Sequence, residues 1–466
     1  MANEYLINRA DLVSVADAIR AKGETTEQLV FPGGFVAAIE GMETGKTGAT
    51  LTVTTPAEGV TVTVTKGETS YTKTTGADGT ATFSGLETGT WTITISKGST
   101  IATGTVDIDA DYEVPMNFGH IYGISRDVTS SSPVWTRTDE SVGKTATASV
   151  GTVAGSSDFD ACYPWSGIQR ETLSTGDVMV KIPKFWFSRY RDGNIEHIKI
   201  ANMAADGFTL HPAFKHGGVE CDHIYVGAYK TSSNNKSVTG ASPQGGQTRA
   251  TMRSNAKNKG TGWSLIDISA LSAIQMLMLV EFATNNMQSA IGRGYCDGNS
   301  AAIGTGSCNG VANLTGRPAG TDGNVDVVWR GIEGLWGNVW EWVDGLNFNG
   351  GTYYVCNDIS RYSDDTATGY EKLSYTGATN WSMSYITEEG LDTGNNPHVI
   401  MPKAAGSGSE STYECDACWS NTGWRVFLIG GNFQFGSSCG LFTAGLYSTS
   451  SRVDDDFGSR LLYIPQ

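Results

Sequence analysis

Between residues 49 and 118 polar and apolar positions alternate with period two, in "TLTVTT", "VTVTVTK", "TATFSG", "TWTITIS" and "TGTVDI". Threonine and β-branched residues in that rhythm predict short antiparallel strands, with turns at Asp78-Gly79 and other glycines. About seven such strands in seventy residues predict a small β-sandwich. Ahead of it, Leu12, Val15, Ala16 and Ile19 recur at helical spacing, between Asn8 as N-cap and Gly23 at the C-terminal end. A second short helix is expected over 35–42. Two helices of that size bury little surface by themselves, so residues 1–44 are expected to attach to copies of the chain or to another protein. "ETGKTG" at 43–48 reads as a linker.

From residue 119 onward neither rhythm persists. One helix is predicted near 270–291, with Leu271, Ile274, Met278, Phe282 and Met287 among its apolar positions. The apolar run "AIQMLMLV" at 273–280 is too short to span a bilayer and is expected to continue as an amphipathic helix. The remainder reads as short strands joined by long loops rich in Gly, Ser, Asn and Thr. Eleven of the twelve tryptophans lie here, which predicts a large aromatic core. Long loops in a compact domain are normally functional. The fold class is therefore α+β in three parts: a helical module over 1–44, a sandwich spacer over 45–118, and a large domain over 119–466.

Composition narrows the function. A formal net charge of −16 would be repelled by phosphate backbones, which argues against general nucleic-acid binding. The first twenty residues lack the basic and apolar regions of a secretory signal, so synthesis in the cytoplasm is expected, without membrane insertion. The eight cysteines spread from Cys162 to Cys439, too dispersed for a stapled scaffold, and are expected as free thiols. Cys415 and Cys418 form a lone C-x-x-C, which needs a second pair such as Cys308 and Cys356 to make a zinc site. His211, His216 and His223 match no metal spacing and read as loop and core histidines. Asp454, Asp455 and Asp456 offer oxygens suited to a structural calcium ion, or a solvated acidic loop. No nucleophile elbow, P-loop or dinucleotide fingerprint stands between a strand and a helix.

The densest motif is "GLWGNVWEWVDG" at 334–345. Glu341 and Asp344 among Trp336, Trp340 and Trp342 are expected to satisfy loop amides inside a buried aromatic ladder rather than to catalyse, because no partner is visible. "GNVWEW", followed by "GWRVFLIGGN" and a terminal "GSRLLY", resembles the formylglycine-generating-enzyme subfamily of C-type lectin folds. That family's oxidase uses two copper-binding cysteines after its glycine pair. Setting Gly430 and Gly431 on that pair places Phe435 and Gly440 at the two positions, with Cys439 beside one of them. One displaced thiol does not make a two-thiolate site, so no catalytic residues are expected. "GADGTATFSGLETGTWTITI" resembles carboxypeptidase-regulatory-like and Ig-like spacers, and "ADAIRAKG" with "FPGGFVAAI" resembles N-terminal segments of phage tail proteins.

The same lectin-like fold carries the variable region of proteins diversified by retroelements, including receptor-binding proteins at phage tail tips, and the C-terminal stretch 425–463 resembles such a region. Adenine-directed rewriting of asparagine codons yields no Lys, Glu, Gln, Met or Trp. These types make up 68 of the 466 residues, which would put about four in a 26-residue window. Residues 432–457 hold one, Gln434. Aromatics among Ser, Thr, Gly and Asp are also the make-up of an adaptable binding surface.

The expected ligand-binding set is Phe433, Gln434, Phe435, Ser437, Ser438, Cys439, Phe442, Thr443, Ala444, Leu446, Tyr447, Ser448, Thr449, Arg452, Val453, Asp454, Asp455, Asp456 and Phe457. The resemblance implies a tail-tip or fibre protein of the virion that binds a host-surface protein or glycan. It would attach to other tail proteins through 1–44, with a homotrimer as the usual assembly. A lectin of fixed specificity and a formylglycine-type oxidase are the alternatives.

Overall fold

The computed structural model describes residues 13, 15–18, 48–55, 58–97, 100–116, 119–298 and 300–465. The chain divides into two compact units at residues 119 and 120. Of the expected N-terminal helices, only residues 13 and 15–18 are described, and they are helical; the helix expected over 35–42 lies outside the described residues.

In the first unit, the described residues form seven strands in two sheets. Ala49–Thr54 lies between Thr80–Leu86 and Tyr112–Pro115, while Thr61–Lys66 and Gly89–Lys97 form the middle of a four-stranded sheet. The period-two pattern places Leu51, Val53, Val62, Val64, Phe83, Trp91, Ile93 and Ile95 inside, and the intervening threonines face outward.

The second unit is built on two five-stranded sheets and one nine-stranded sheet. Its centre is the helix Ile268–Phe282, capped by the Asp267 carboxylate, which accepts from the Ala270 N–H at 2.8 Å. The helix packs against Ile121–Asp127 and Ile195–Ala201 of one five-stranded sheet and against Trp340–Asn349 of the nine-stranded sheet. The amphipathic expectation fails here, since residues 268–281 are buried on every face. Glu281, buried on this helix, accepts from Trp329 Nε1 at 2.9 Å and Arg330 Nη2 at 2.7 Å. The single helix expected to residue 291 is also two. Ala283 adopts a left-handed conformation (φ 52°) that ends the first, and a short helix, Met287–Ala290, follows the Asn286 cap.

A further helix, Arg249–Lys257, has no apolar rhythm in the sequence because part of its inward face is charged. Arg249 and Arg253, one turn apart, point into the protein. Arg253 donates to both oxygens of Asp344, at 2.6 and 2.8 Å, and Arg249 donates to the Val343 and Leu346 carbonyls.

Candidate ligand-binding face

The scaffold beneath the face is the motif strand Trp340–Asn349. Trp336 and Trp342 are fully buried and Trp340 nearly so. Glu341 does not satisfy loop amides as expected; it holds two cations. Lys230 Nζ donates to Oε1 at 2.7 Å, and Arg460 donates through Nη2 at 2.7 Å and Nε at 3.0 Å. Arg460 also donates to the Gly227, Glu333 and Gly334 carbonyls, so its guanidinium joins three chain segments. Burial raises the Glu341 carboxyl, but Arg460 and Lys230 outweigh it and hold the group below the usual range. Asp326, in the same cluster, is pushed up to about 7 by burial and by Glu333, against the pull of Lys230. Lys230 and Arg460 lie 111 and 119 residues from Glu341 in sequence, so inspection of the motif could not reveal them.

On this strand the C-terminal stretch is laid out as frame and loops. Trp424–Ile429 runs antiparallel to Trp340–Asn349, pairing Leu428 with Trp342. Gly430 and Gly431, at φ 91° and 77°, turn the chain in a conformation that suits glycine. Residues 432–443 form a loop, and Ala444–Leu446 returns antiparallel to Trp424–Ile429. A second loop, 447–456, leads to Phe457–Ser459, which pairs in parallel with Trp340–Trp342. Ala444–Leu446 and Phe457–Ser459 have only three residues each, too short to show a period in sequence. Asp416 pins the first loop from below, accepting the Phe442 N–H at 2.7 Å. A Cβ on Gly440 would come within 1.9 Å of that carboxylate.

Between the loops lies an open cavity of about 370 Å³. Trp340, Trp419 and Phe435 form one wall, meeting edge to face at centroid distances of 5.0–5.6 Å. Phe457 is set edge-on to Trp342 at 5.3 Å. Tyr447 and Arg452 stand on the rim, with side chains free to reach solvent. Asp454 pairs with Arg452 at 2.6 Å, and Asp456 accepts from Asn432 Nδ2. Burial pushes the Asp456 carboxyl up, partly offset by the Asn432 hydrogen bond, while the Arg452 hydrogen bond lowers Asp454.

The expected set divides accordingly. Gln434, Phe435, Tyr447, Ser448, Arg452, Asp454, Asp456 and Phe457 line the cavity. Phe433, Ser437, Thr449, Val453 and Asp455 are exposed or half-buried but do not line it. Ser438, Cys439, Phe442, Thr443, Ala444 and Leu446 are buried, which corrects their placement on the surface. Phe442, Ala444 and Leu446 belong to the main core, and Thr443 is fixed by donating to the Ser438 carbonyl at 2.8 Å. Sequence reasoning missed Trp340, Trp419, Leu428, Asn432 and Gly445, which lie before or between the positions it selected. Tryptophan-rich strands signalled the core, and only pairing across the sheet brings Trp340 and Trp419 to the cavity.

The other candidate sites do not assemble as sets. Cys308 packs with Val311 and Val328, Cys356 with Tyr362 and Tyr370, and Cys418 in the main core. His211 and His398 are core histidines, 5.5 Å apart; burial holds His211 well below its usual range and takes His398 to about 3. Among the described residues no three His, Cys, Asp or Glu side chains converge as a metal site. No described helix is long and apolar enough to cross a membrane.

No protein-family model matches the chain, and no curated protein matches it. Solved structures to which it is similar include the U1 and P3c variants of the Major Tropism Determinant. The U1 variant is 14% identical with a TM-score of 0.25, over 80% of this chain and 81% of that one. The P3c variant is 12% identical with a TM-score of 0.26, over 81% of each. The TIE protein of Bacillus anthracis is 10% identical with a TM-score of 0.14 over 38% of this chain, which spans 27% of that protein's length.

Proposed function

We propose that this chain is a receptor-binding protein of a phage tail, presenting a ligand-binding face on a C-type-lectin-like scaffold. The observation that carries the reading is the aromatic cavity between loops 432–443 and 447–456, supported from beneath by a buried ion network. A rigid frame with contact residues on its loops is the architecture of binding proteins, and large aromatic walls supply contact area at low entropic cost. The resemblance of 425–463 to retroelement-diversified regions agrees with this division: the glycine pair and short strands are frame, and the solvent-facing loop positions are the ones free to change. Binding breaks no bond. The ligand is a protein or glycan of a bacterial surface, and residues 1–44 attach the chain to the virion, with trimeric assembly multiplying the contacts.

The test has two arms. Sequencing the DNA beside the gene is expected to find a near-copy of codons 425–463 that differs where the copy has adenine, next to a reverse-transcriptase gene. Its absence would reduce the reading to a lectin of fixed specificity. Purified chain is also expected to bind bacterial envelopes through the cavity, with loss of binding in Tyr447→Ala. Oxygen consumption with a cysteine peptide and copper would instead establish the oxidase alternative.

A further inference from the structure

Cys439 is not alone. It belongs to the first loop with its side chain fully buried, and Cys296 is equally buried on the neighbouring segment 292–298. Two glycines mark how closely the thiols approach. Gly337 donates its N–H to the Gly430 carbonyl at 3.1 Å, so the two turns touch. A Cβ on Gly337 would stand 3.0 Å from the Cys296 sulfur, and one on Gly431 would stand 2.5 Å from the Cys439 sulfur. Each sulfur thus fills the space beside one of two contacting glycine turns. Gly436 links the same two residues through the backbone, donating to the Cys296 carbonyl at 2.8 Å and accepting from the Cys439 N–H at 3.2 Å. The two side chains are close enough for Cys439 to raise the Cys296 thiol. Each also points at a carbonyl, Cys296 at Arg293 O (3.0 Å) and Cys439 at Asn432 O (3.2 Å).

We propose that Cys296 and Cys439 are a redox modification site, closing to a disulfide that ties the loop bearing Asn432, Gln434 and Phe435 to the scaffold. The oxidant is a small-molecule disulfide such as oxidised glutathione. One cysteine, as thiolate, attacks a glutathione sulfur and expels one glutathione thiolate. The other cysteine gives up its proton, attacks the protein-side sulfur of the mixed disulfide and expels the second. Two cysteine thiols lose two hydrogens, and one glutathione disulfide becomes two glutathione thiols. A protein carried on a particle leaves the reducing cytoplasm in which it folds, so the closed form belongs to the released particle. Burial, Cys439 and the nearby carboxylates Asp326 and Asp297 push the Cys296 thiol well up, which slows its attack on a disulfide.

The full chain, purified in reductant and then held in oxidised glutathione, is blocked with an alkylating agent and digested without reduction. Trypsin places Cys439 in peptide 426–452 and Cys296, with Cys308, in peptide 294–330, so fragmentation must assign the sulfur. The expected result is a 296–439 bridge two hydrogens lighter than the free pair, reversed by dithiothreitol. A higher melting temperature should accompany it, because the bridge restricts the unfolded chain. Cys296→Ala should lose both the bridge and the melting shift. Recovery of both cysteines as alkylated or glutathione-capped thiols, or a bridge from either to another cysteine, overturns the proposal. The wild-type digest decides this even if the variant fails to fold.

Discussion

Replacing Glu341 by Gln removes one negative charge from between two cations without changing shape. The side chains of Glu341 and Lys230 are each 3% exposed and that of Arg460 is fully buried, so water cannot compensate. Glutamine keeps one acceptor oxygen for the three donor contacts and turns an NH2 group toward the others. Lys230 and Arg460 are left facing Asp326 and Glu333, which already share the cluster. Removing one partner from a buried, hydrogen-bonded charge set costs about 3–5 kcal/mol, far more than an exposed pair would. Urea unfolding followed by tryptophan fluorescence measures this well, since eleven of the twelve tryptophans lie in the second unit. Lys230→Met, which leaves the paired contact from Arg460 to Glu341 intact, should cost less. The double variant should fall short of the sum of the two losses, because both act on one network. A loss under about 1 kcal/mol for Glu341→Gln, or strict additivity with Lys230→Met, would refute the claim that this network holds the strands beneath the face.

The remaining predictions concern pH, the loop anchor and the division of frame from face. Asp326 has a folded-state pKa of about 7, above its unfolded value of about 3.9. The folded state therefore binds more protons between those values, and stability falls as pH rises through the window, by up to about 4 kcal/mol in total. Asp326→Asn should remove that slope, so its advantage over wild type in urea melts should grow from pH 4 to pH 7 and then level off. Gly440→Ala should destabilise by roughly 1–3 kcal/mol, because the new methyl meets the Asp416 carboxylate at 1.9 Å while that carboxylate is tied to Phe442. Tyr447→Ala, 59% exposed, should leave the urea midpoint unchanged and weaken envelope binding at least tenfold, an effect of about 1.4 kcal/mol or more. Leu446→Ala, one residue earlier and fully buried, should lose about 2–5 kcal/mol of stability. Equal stability losses for these two neighbours would sink the division between frame and face.

Part of the structure is written by local chemistry alone. Alternating threonine and β-branched residues over 49–118 require strands, and the buried positions Val62, Val64, Ile93 and Ile95 follow from period two alone. The tryptophan motif at 334–345 announced a buried centre. Tertiary structure decided the rest, because the deciding partners are distant in the chain. Arg249 and Arg253 make a charged inner helix face that no hydropathy pattern reports, since their burial depends on Asp344 and Asp364 about a hundred residues later. Phe442 and Leu446 look like contact residues beside Tyr447, yet they turn inward because the short strand at 444–446 is enclosed by neighbours on both sides. Glu341 gains its role from Lys230 and Arg460, and Cys439 gains its neighbour from Cys296. A side chain's identity is local, but whether it faces a ligand, a counter-ion or another thiol is fixed by which strands the fold brings alongside it.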